Sequence, residues 1–346
     1  MNKSYILISF TSSQNQTLIN LIYYLNSINI HKSDIYIFTN SNDNLLNNLS
    51  IKVIRLKKIS SLYDSIEQFF SWSNKKTILK KITIFKDYNE IEIIFPHFLN
   101  ILSNYFYHNC IPKLNHAKLT LSLYPDGVLS FQPFKTNSIF QKEVFSRWIS
   151  SYLFGMPFKP FIGPIADPYN IIKKIYTYIP KATIKYNAHK LIKISFPQKN
   201  QSGDNLLILG HFNQSKFDEN NLSIYIQKII ELFPLNNFKK IYYKKHPRLE
   251  NIKSDDFFNM LNKKTSYKIK LINNYTPIET SIENIKVQCV IAAVSTSLIN
   301  LKLKYGNNLN CYYFGLNNYV KREYVKYYFK VFNELSITPL ILENDC

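Results

Sequence analysis

Glycine and cysteine are both scarce in this sequence. The chain of 346 residues has 7 glycines and 4 cysteines, and the cysteines are widely spaced, at Cys110, Cys289, Cys311 and Cys346. That spacing excludes a disulfide scaffold, and the lack of a CxxC pair argues against structural zinc. Such cysteine usage fits a reducing cytoplasm. Where glycines are this few, we expect a glycine to mark a position at which the backbone needs one.

Long apolar runs are also missing. Nowhere do about 18 apolar residues follow one another, as a membrane-spanning helix requires. The first apolar run, within residues 4–13, is shorter than the core of a signal peptide. We therefore expect a cytoplasmic protein that is soluble or peripheral on the inner face of the cytoplasmic membrane.

Acidic residues are outnumbered by basic ones, 23 to 43, which gives a formal net charge of +20. This balance favours anionic partners such as acidic lipid surfaces, nucleic acid or nucleotides. The basic residues are spread along the chain in short pairs. This distribution is also typical of a solvated, lysine-rich surface without a specific anionic partner. Because no helix-turn-helix or RNA-binding signature accompanies them, we do not expect a nucleic-acid partner.

Strand and helix patterns alternate along the chain. Apolar runs within residues 4–13 and 34–40 predict buried strands, and apolar residues at helical spacing over 16–28 predict a helix between them. "ITIFK" at 82–86 predicts a further strand. The pattern restarts after a polar break at 197–205. Such alternation predicts an α/β protein with parallel sheets.

The length and the polar break predict two domains. We place them at residues 1–195 and 205–318, each Rossmann-like. Residues 319–346 begin with a basic amphipathic helix that can cross back to the first domain.

Polar residues in the second half lie where predicted strands end. Gly210 follows one strand, and the missing side chain lets a ligand approach the backbone, although a turn needs a glycine equally well. His246 follows the next strand, and its imidazole can meet a phosphate. Ser295, Thr296 and Ser297 precede a helix, where hydroxyl and N–H groups form an anion site. They can also serve as an ordinary N-cap.

In the first half, one carboxylate stands out. The apolar strand in "AKLTLSLYPDG" (117–127) delivers Asp126 at its C-terminal end, where open α/β sheets bind ligands. The alternative is that Asp126 only forms a turn beside Gly127.

Four short motifs together resemble a known family. They are "YPDG" (124–127), "KHPR" (245–248), "TPIE" (276–279) and "STS" (295–297), and their order and rough spacing agree with it. The sequence resembles the bacterial GT-B sialyltransferases, such as the lipooligosaccharide or O-antigen sialyltransferases of glycosyltransferase family 52. These have kinship with the capsule polysialyltransferases and the multifunctional marine and Pasteurella-type enzymes.

The resemblance implies a GT-B fold, with two Rossmann-like parallel-sheet domains facing a cleft. The first domain would bind the acceptor and the second CMP-sialic acid. Sialic acid would be transferred with inversion to a galactose-type hydroxyl of a lipooligosaccharide, O-antigen or capsule glycan. Asp126 would be the general base, because a carboxylate must take the acceptor's proton. His246 would act as general acid or stabilise the departing phosphate.

Further roles follow from the same resemblance. Glu279 would hold the ribose hydroxyls of CMP, and Gly210 would lie near the nucleotide. Arg248 and residues 295–297 would also bind the donor. Because CMP leaves as a single phosphate, no metal or other cofactor is expected, and the sequence has no Asp-x-Asp or HxH motif. The expected partners are this donor, an oligosaccharide or lipid-linked glycan acceptor, and an anionic membrane surface, with the oligomeric state left open.

One position departs from the family pattern. The residue before Asp126 is usually acidic in the family and commonly serves as the base, but here it is Pro125. Glu143 and Asp167 are substitutes if Asp126 does not fill the role. Two other functions stay open, namely a GT-B transferase with a CMP- or CDP-linked donor (Kdo or glycerophosphate) and a non-catalytic glycan- or nucleic-acid-binding protein.

Overall fold

The computed structural model divides into two units, Met1–Ser195 and Phe196–Cys346. It describes residues 4–8, 18, 21–22, 24–25, 30, 35–39, 51–57, 65–85, 87–95, 101–114, 118–124, 145–146, 148–149, 151, 158–159, 172–183, 190–195, 198–200, 202–210, 219–246, 255–272, 278–320 and 322–341. Within these residues, no helix is both long and apolar enough to cross a membrane.

The first unit is built on a seven-stranded parallel sheet. Its strands are β1 (Ser4–Ile8), β2 (Ile35–Thr39), β3 (Lys52–Arg55), β4 (Glu90–Phe95), β5 (Lys118–Leu123), β6 (Ile172–Thr177) and β7 (Lys190–Lys193). They lie in the order β3-β2-β1-β4-β5-β6-β7, which is the Rossmann order with one added strand. Helix α1 (Ser65–Phe85) precedes β4. Helix α2 (Ile101–Tyr105) continues as a π-helical turn (Phe106–Cys110) and a 3-10 turn (Ile111–Lys113).

The central strands of the first sheet are buried and mostly apolar. Every residue of β2 is buried, and so are Ile91, Ile93 and Ile94 of β4. Continuous apolar strands of this kind are typical of parallel sheets that are covered on both faces. The core of the first unit therefore lies on both sides of β2 and β4.

The predicted strand at 82–86 is wrong, because Ile82–Phe85 form the last turn of α1. Ile78, Ile82 and Phe85 are buried at a spacing of four and three residues, which places them on one face of a helix. Ile84 between them is 42% exposed. The run of apolar residues conceals this helical period, and the strand itself follows at β4.

The second unit repeats the pattern. Its elements are β8 (Asn205–Leu209), α3 (Glu219–Leu235), β9 (Lys240–Lys244), α4 (Asp256–Lys264), β10 (Ile269–Leu271), α5 (Ile278–Ile285), β11 (Val287–Ala292), α6 (Thr296–Tyr305), β12 (Asn310–Tyr313), α7 (Leu316–Tyr319), α8 (Arg322–Glu334) and β13 (Thr338–Pro339). The parallel sheet has the order β10-β9-β8-β11-β12-β13. Both units thus have the Rossmann order, and the predicted α/β fold class with two Rossmann-like units is confirmed.

The described tail completes the second sheet. Phe332 of α8 packs against Tyr313 with ring centroids 4.5 Å apart. Strand β13, which the sequence pattern did not indicate, pairs with β12, and Leu340 N donates to Tyr313 O at 2.8 Å. A return of this tail to the first domain stays a prediction.

Candidate active site

Three neighbouring strands of the second sheet end together. Strand β8 lies between β9 and β11, and the three strands end in register. The strand order reverses between the neighbouring strands β8 and β11, because β9 and β10 lie on one side and β12 and β13 on the other. Such a switch point is where open α/β sheets bind ligands. Gly210, His246 and Ser295 follow these three strands. The structure therefore brings them to one edge of the sheet.

Gly210 is packed closely by the neighbouring strand. A Cβ atom at residue 210 would overlap the hydroxyl of Tyr243 and lie 3.3 Å from Lys244 O. Gly210 N donates to the same Lys244 O at 2.9 Å. Tyr243 in turn donates to both carboxylate oxygens of Asp255, at 3.1 and 3.0 Å. Residue 210 must therefore be glycine chiefly because the Tyr243 hydroxyl occupies the space of a Cβ atom. The expected contact of Gly210 with the nucleotide stays a prediction.

Asp255 was not singled out from the sequence. It is 2% exposed and caps α4, accepting a hydrogen bond from Phe258 N at 3.1 Å. An acidic residue just before an apolar helical pattern is a known N-cap signal, so "SDDFF" could have identified the cap. Its contact with Tyr243 joins residues that are 12 apart, and no local pattern reports it.

His246 lies two residues beyond the end of β9 and is half-buried. It follows Lys244, which is buried, and Lys245, which is half-buried. Two cationic residues at a strand end favour an anionic ligand. The position of His246 is therefore compatible with the predicted phosphate contact.

Ser295 occupies the N-cap of α6 with an extended backbone, φ −140° and ψ 134°, but its side chain makes no capping hydrogen bond. Thr296 and Ser297 form the first turn of the helix and are half-buried. The first N–H groups of a helix have no partner within the helix, and they favour negative charge. The hydroxyl of Ser295 is thus not engaged in capping, in contrast to the alternative stated above.

Glu279 lies in the first turn of α5 and is 8% exposed. Asn300 Nδ2 donates to its Oε1 at 3.3 Å, and Lys304 Nζ donates to its backbone carbonyl at 2.6 Å. The sequence did not single out Asn300 or Lys304. Their spacing of four residues, which places both on one face of α6, is the signal that could have paired them.

The remaining predicted site residues lie outside the described residues. These are Asp126 with Pro125, the substitutes Glu143 and Asp167, and Arg248. Tyr124, which precedes Pro125, is buried just beyond the end of β5, and its N–H donates to Phe95 O at 2.9 Å. The roles of Asp126, Glu143, Asp167 and Arg248 stay predictions.

The described residues contain no group of three or more His, Cys, Asp or Glu side chains that could hold a metal ion. The predicted independence from metal stays a prediction.

Comparison with protein-family models assigns the chain to a family. The model described as Alpha-2,8-polysialyltransferase (POLYST) matches residues 3–309. The chain belongs to this polysialyltransferase family. It is therefore a glycosyltransferase of the sialyltransferase type, and the resemblance seen in the four motifs is confirmed. No curated protein matches this polysialyltransferase-family chain significantly.

The solved structures that match the chain are distant in sequence. The sialyltransferase from Photobacterium damselae, residues 113–497 corresponding to its GT-B domain, has 13% identity and a TM-score of 0.47, covering 97% of this chain and 99% of that one. Anabaena Alr3699/HepE in complex with UDP and glucose has 8% identity and a TM-score of 0.49, covering 90% and 80%. Acinetobacter baumannii MurG has 6% identity and a TM-score of 0.45, covering 97% and 85%. The assignment to the family stands on the family match alone.

Proposed function

We propose that the protein is an inverting, metal-independent sialyltransferase that moves sialic acid from CMP-sialic acid to a hydroxyl of a bacterial surface glycan. The observation that carries this proposal is the meeting of Gly210, His246 and Ser295 at the carboxyl edge of β8, β9 and β11, in a chain of the polysialyltransferase family. A nucleotide bound at this switch point would have its phosphate near the start of α6.

Each donor group would meet a matching protein group. The Ser295 and Thr296 hydroxyls and the N–H groups in the first turn of α6 would hold the phosphate, and His246 and Arg248 would add donors or positive charge. Glu279 would accept hydrogen bonds from the ribose hydroxyls. Its burial supports this role, because a buried carboxylate binds hydroxyl donors with little competition from water.

The transfer itself needs a base and a stabilised leaving group. Asp126 would take the proton of the acceptor hydroxyl while that oxygen bonds to the anomeric carbon of sialic acid. The bond from this carbon to the phosphate oxygen of CMP would break on the opposite face, which inverts the configuration. His246 would stabilise the charge that develops on the phosphate. The leaving group, CMP, has only one phosphate, so the reaction does not need a metal ion that bridges two phosphates.

Two acceptors deserve direct comparison. The motif resemblance favours a galactose-type hydroxyl of a lipooligosaccharide, O-antigen or capsule glycan. The family match favours a sialic acid acceptor, because the family is described as an alpha-2,8-polysialyltransferase. Both reactions use the same donor chemistry, so the acceptor alone separates them.

A membrane surface is proposed as the place where a lipid-linked acceptor is met. Arg322, Lys326, Phe329 and Lys330 are exposed on one face of α8, opposite the buried Val331. Basic residues around an exposed aromatic side chain suit the interface of an anionic bilayer. The net charge of +20 acts in the same direction.

The test is an assay of the purified full chain with CMP-sialic acid and two acceptors, a galactose-terminated oligosaccharide and an α2,8-linked sialic acid oligomer, with and without EDTA. We expect transfer that EDTA does not reduce and that Asp126→Asn and His246→Ala abolish or strongly lower. CMP-Kdo and CDP-glycerol serve as control donors. Turnover of either control without turnover of CMP-sialic acid would contradict the proposal. CMP binding without any transfer would indicate the non-catalytic alternative.

A further inference from the structure

Two buried side chains of α6 hold the start of α5. Asn300 and Lys304 are 8% and 7% exposed, and both contact Glu279, through its carboxylate and its carbonyl respectively. They lie one helical turn apart and therefore face the same side of α6. Asn300 orients the carboxylate of Glu279, and Lys304 fixes the backbone that carries it.

Lys304 makes a second contact with α5. Its Nζ donates to Glu283 Oε1 at 2.8 Å, and Lys199 Nζ donates to that oxygen at the same distance. The hydrogen bonds from Lys199 and Lys304 hold the pKa of Glu283 below its usual range, so its carboxylate is charged at neutral pH. Helix α5 has only 8 residues, and a helix that short is marginal by itself. The contacts from α6 therefore determine where Glu279 lies.

Helix α6 also carries the proposed phosphate anchors. Thr296 begins this helix and Asn300 follows four residues later, which corresponds to about 6 Å of helix rise. This is comparable with the span from the 5′-phosphate to the ribose hydroxyls of one nucleotide. One helix thus carries both the proposed anion site and the side chain that contacts the Glu279 carboxylate.

We propose that Asn300 and Lys304 are positioning residues that set the Glu279 carboxylate at the ribose hydroxyls of a nucleoside monophosphate whose phosphate lies at the start of α6. This inference rests on the proposed function, in which Glu279 binds the ribose. It predicts that the two residues determine the preference for a ribonucleotide over a 2′-deoxyribonucleotide. A residue that only stabilises the fold would not change that ratio.

The experiment compares the dissociation constants of CMP and 2′-deoxy-CMP by calorimetry for the full-length wild type and for Glu279→Gln, Asn300→Ala and Lys304→Met. We expect each variant to weaken CMP binding by about two- to tenfold, the value of one hydrogen bond. Binding of 2′-deoxy-CMP changes less, so the ratio of the two constants moves toward one. Lys304→Arg, which keeps the donor, should recover part of the preference.

Lys302→Met is the matched control. Lys302 is also on α6, is 7% exposed, and donates to a backbone carbonyl, that of Leu309, at 2.9 Å. No hydrogen bond of Lys302 to α5 is among those of the described residues. We expect this variant to lower the melting temperature as Lys304→Met does while keeping the wild-type ratio for the two nucleotides.

The outcomes separate the inference from the function on which it rests. If Glu279→Gln lowers the preference for CMP while Asn300→Ala and Lys304→Met keep it, the inference is overturned and the donor site stands. If Lys302→Met lowers the preference equally, general loosening of α6 explains the effect and the inference is again overturned. If Glu279→Gln leaves CMP binding unchanged, the proposed ribose contact fails, and the positioning role fails with it.

Discussion

The hydroxyl of Tyr243 occupies the space in which a side chain on Gly210 would begin. A Cβ atom at residue 210 would also lie 3.0 Å from Tyr243 Cζ, closer than carbon atoms normally approach. The same hydroxyl is held by the buried carboxylate of Asp255. Tyr243 thus links the ends of β8 and β9 to the start of α4, and the edge of the sheet at the candidate site is fixed by packing.

Gly210→Ala should therefore destabilise the second unit. Overpacking of this kind costs about 1–3 kcal/mol, measured by urea unfolding. Tyr243→Phe removes the closest atom but leaves the Asp255 carboxylate with one hydrogen bond fewer, at a cost of about 1–3 kcal/mol. Because one atom is responsible for both effects, the double variant should lose less than the sum of the single variants. Strict additivity would show that the two residues do not share this space.

Asp255 and Ser295, two N-cap residues of the second unit, should respond differently to alanine. Asp255 caps α4 through its side chain, so Asp255→Ala should cost at least the usual 1 kcal/mol or so of an N-cap. Ser295 makes no such bond, so Ser295→Ala should cost less than about 0.5 kcal/mol. Its effect should appear in CMP binding, weakened about two- to tenfold. A large loss of stability with unchanged CMP affinity would assign Ser295 to capping.

The parallel α/β class and the strand ends of the candidate site could be predicted because both follow from short-range patterns. Apolar strands alternate with amphipathic helices, and Gly210, His246 and Ser295 each follow a recognisable strand. The contacts that hold the site could not be predicted in this way. Asn300 meets Glu279 across 21 residues, and such a pairing depends on how α5 and α6 pack.

The local sequence pattern also gave one wrong prediction, the strand at residues 82–86. The residues Ile82–Phe85 have β-branched and aromatic side chains, which favour strands. Their assignment to α1 depends on the burial of Ile78 one turn earlier, which extends the helical period beyond the short window. Tertiary packing therefore overrides the local preference at this point.

A buried carboxylate in the first unit should make the unfolding free energy of the protein depend on pH. Glu92 of β4 is fully buried and accepts hydrogen bonds from Ser122 at 2.5 Å, Tyr176 at 2.8 Å and Lys174 at 2.9 Å. Burial by itself raises the pKa of Glu92, but these bonds and the charge of Lys174 outweigh it and hold the pKa below its usual range. A lowered folded-state pKa stabilises the protein above the unfolded value of about 4.3.

That stabilisation should be lost as pH falls below about 4.3 and through the lower pKa of the folded state. Unfolding free energies measured between neutral pH and this range should fall more steeply for the wild type than for Glu92→Gln, which has no charge to lose. Equal pH dependence of the two proteins would show that Glu92 is not the group responsible.

Removing the cation that faces Glu92 should be costly at neutral pH. Lys174→Met leaves a buried carboxylate without its ion pair, and such a change costs about 3 kcal/mol. Lys193 on the neighbouring strand β7 is exposed, so Lys193→Met should change stability by less than about 0.5 kcal/mol. Equal losses for both variants in urea unfolding would count against a buried pair.

The exposed face of α8 should mediate binding to anionic vesicles. Reversing Arg322, Lys326 and Lys330 to glutamate should reduce co-sedimentation with vesicles that contain phosphatidylglycerol, since each basic residue near such a surface contributes about 1 kcal/mol. Phe329→Ala should weaken binding less, because one partly exposed ring buries little area. The control reverses three exposed lysines elsewhere on the second unit, at positions 263, 268 and 270, and changes the net charge equally. If both triple variants lose binding to the same extent, net charge accounts for the attraction, and α8 has no special part in it.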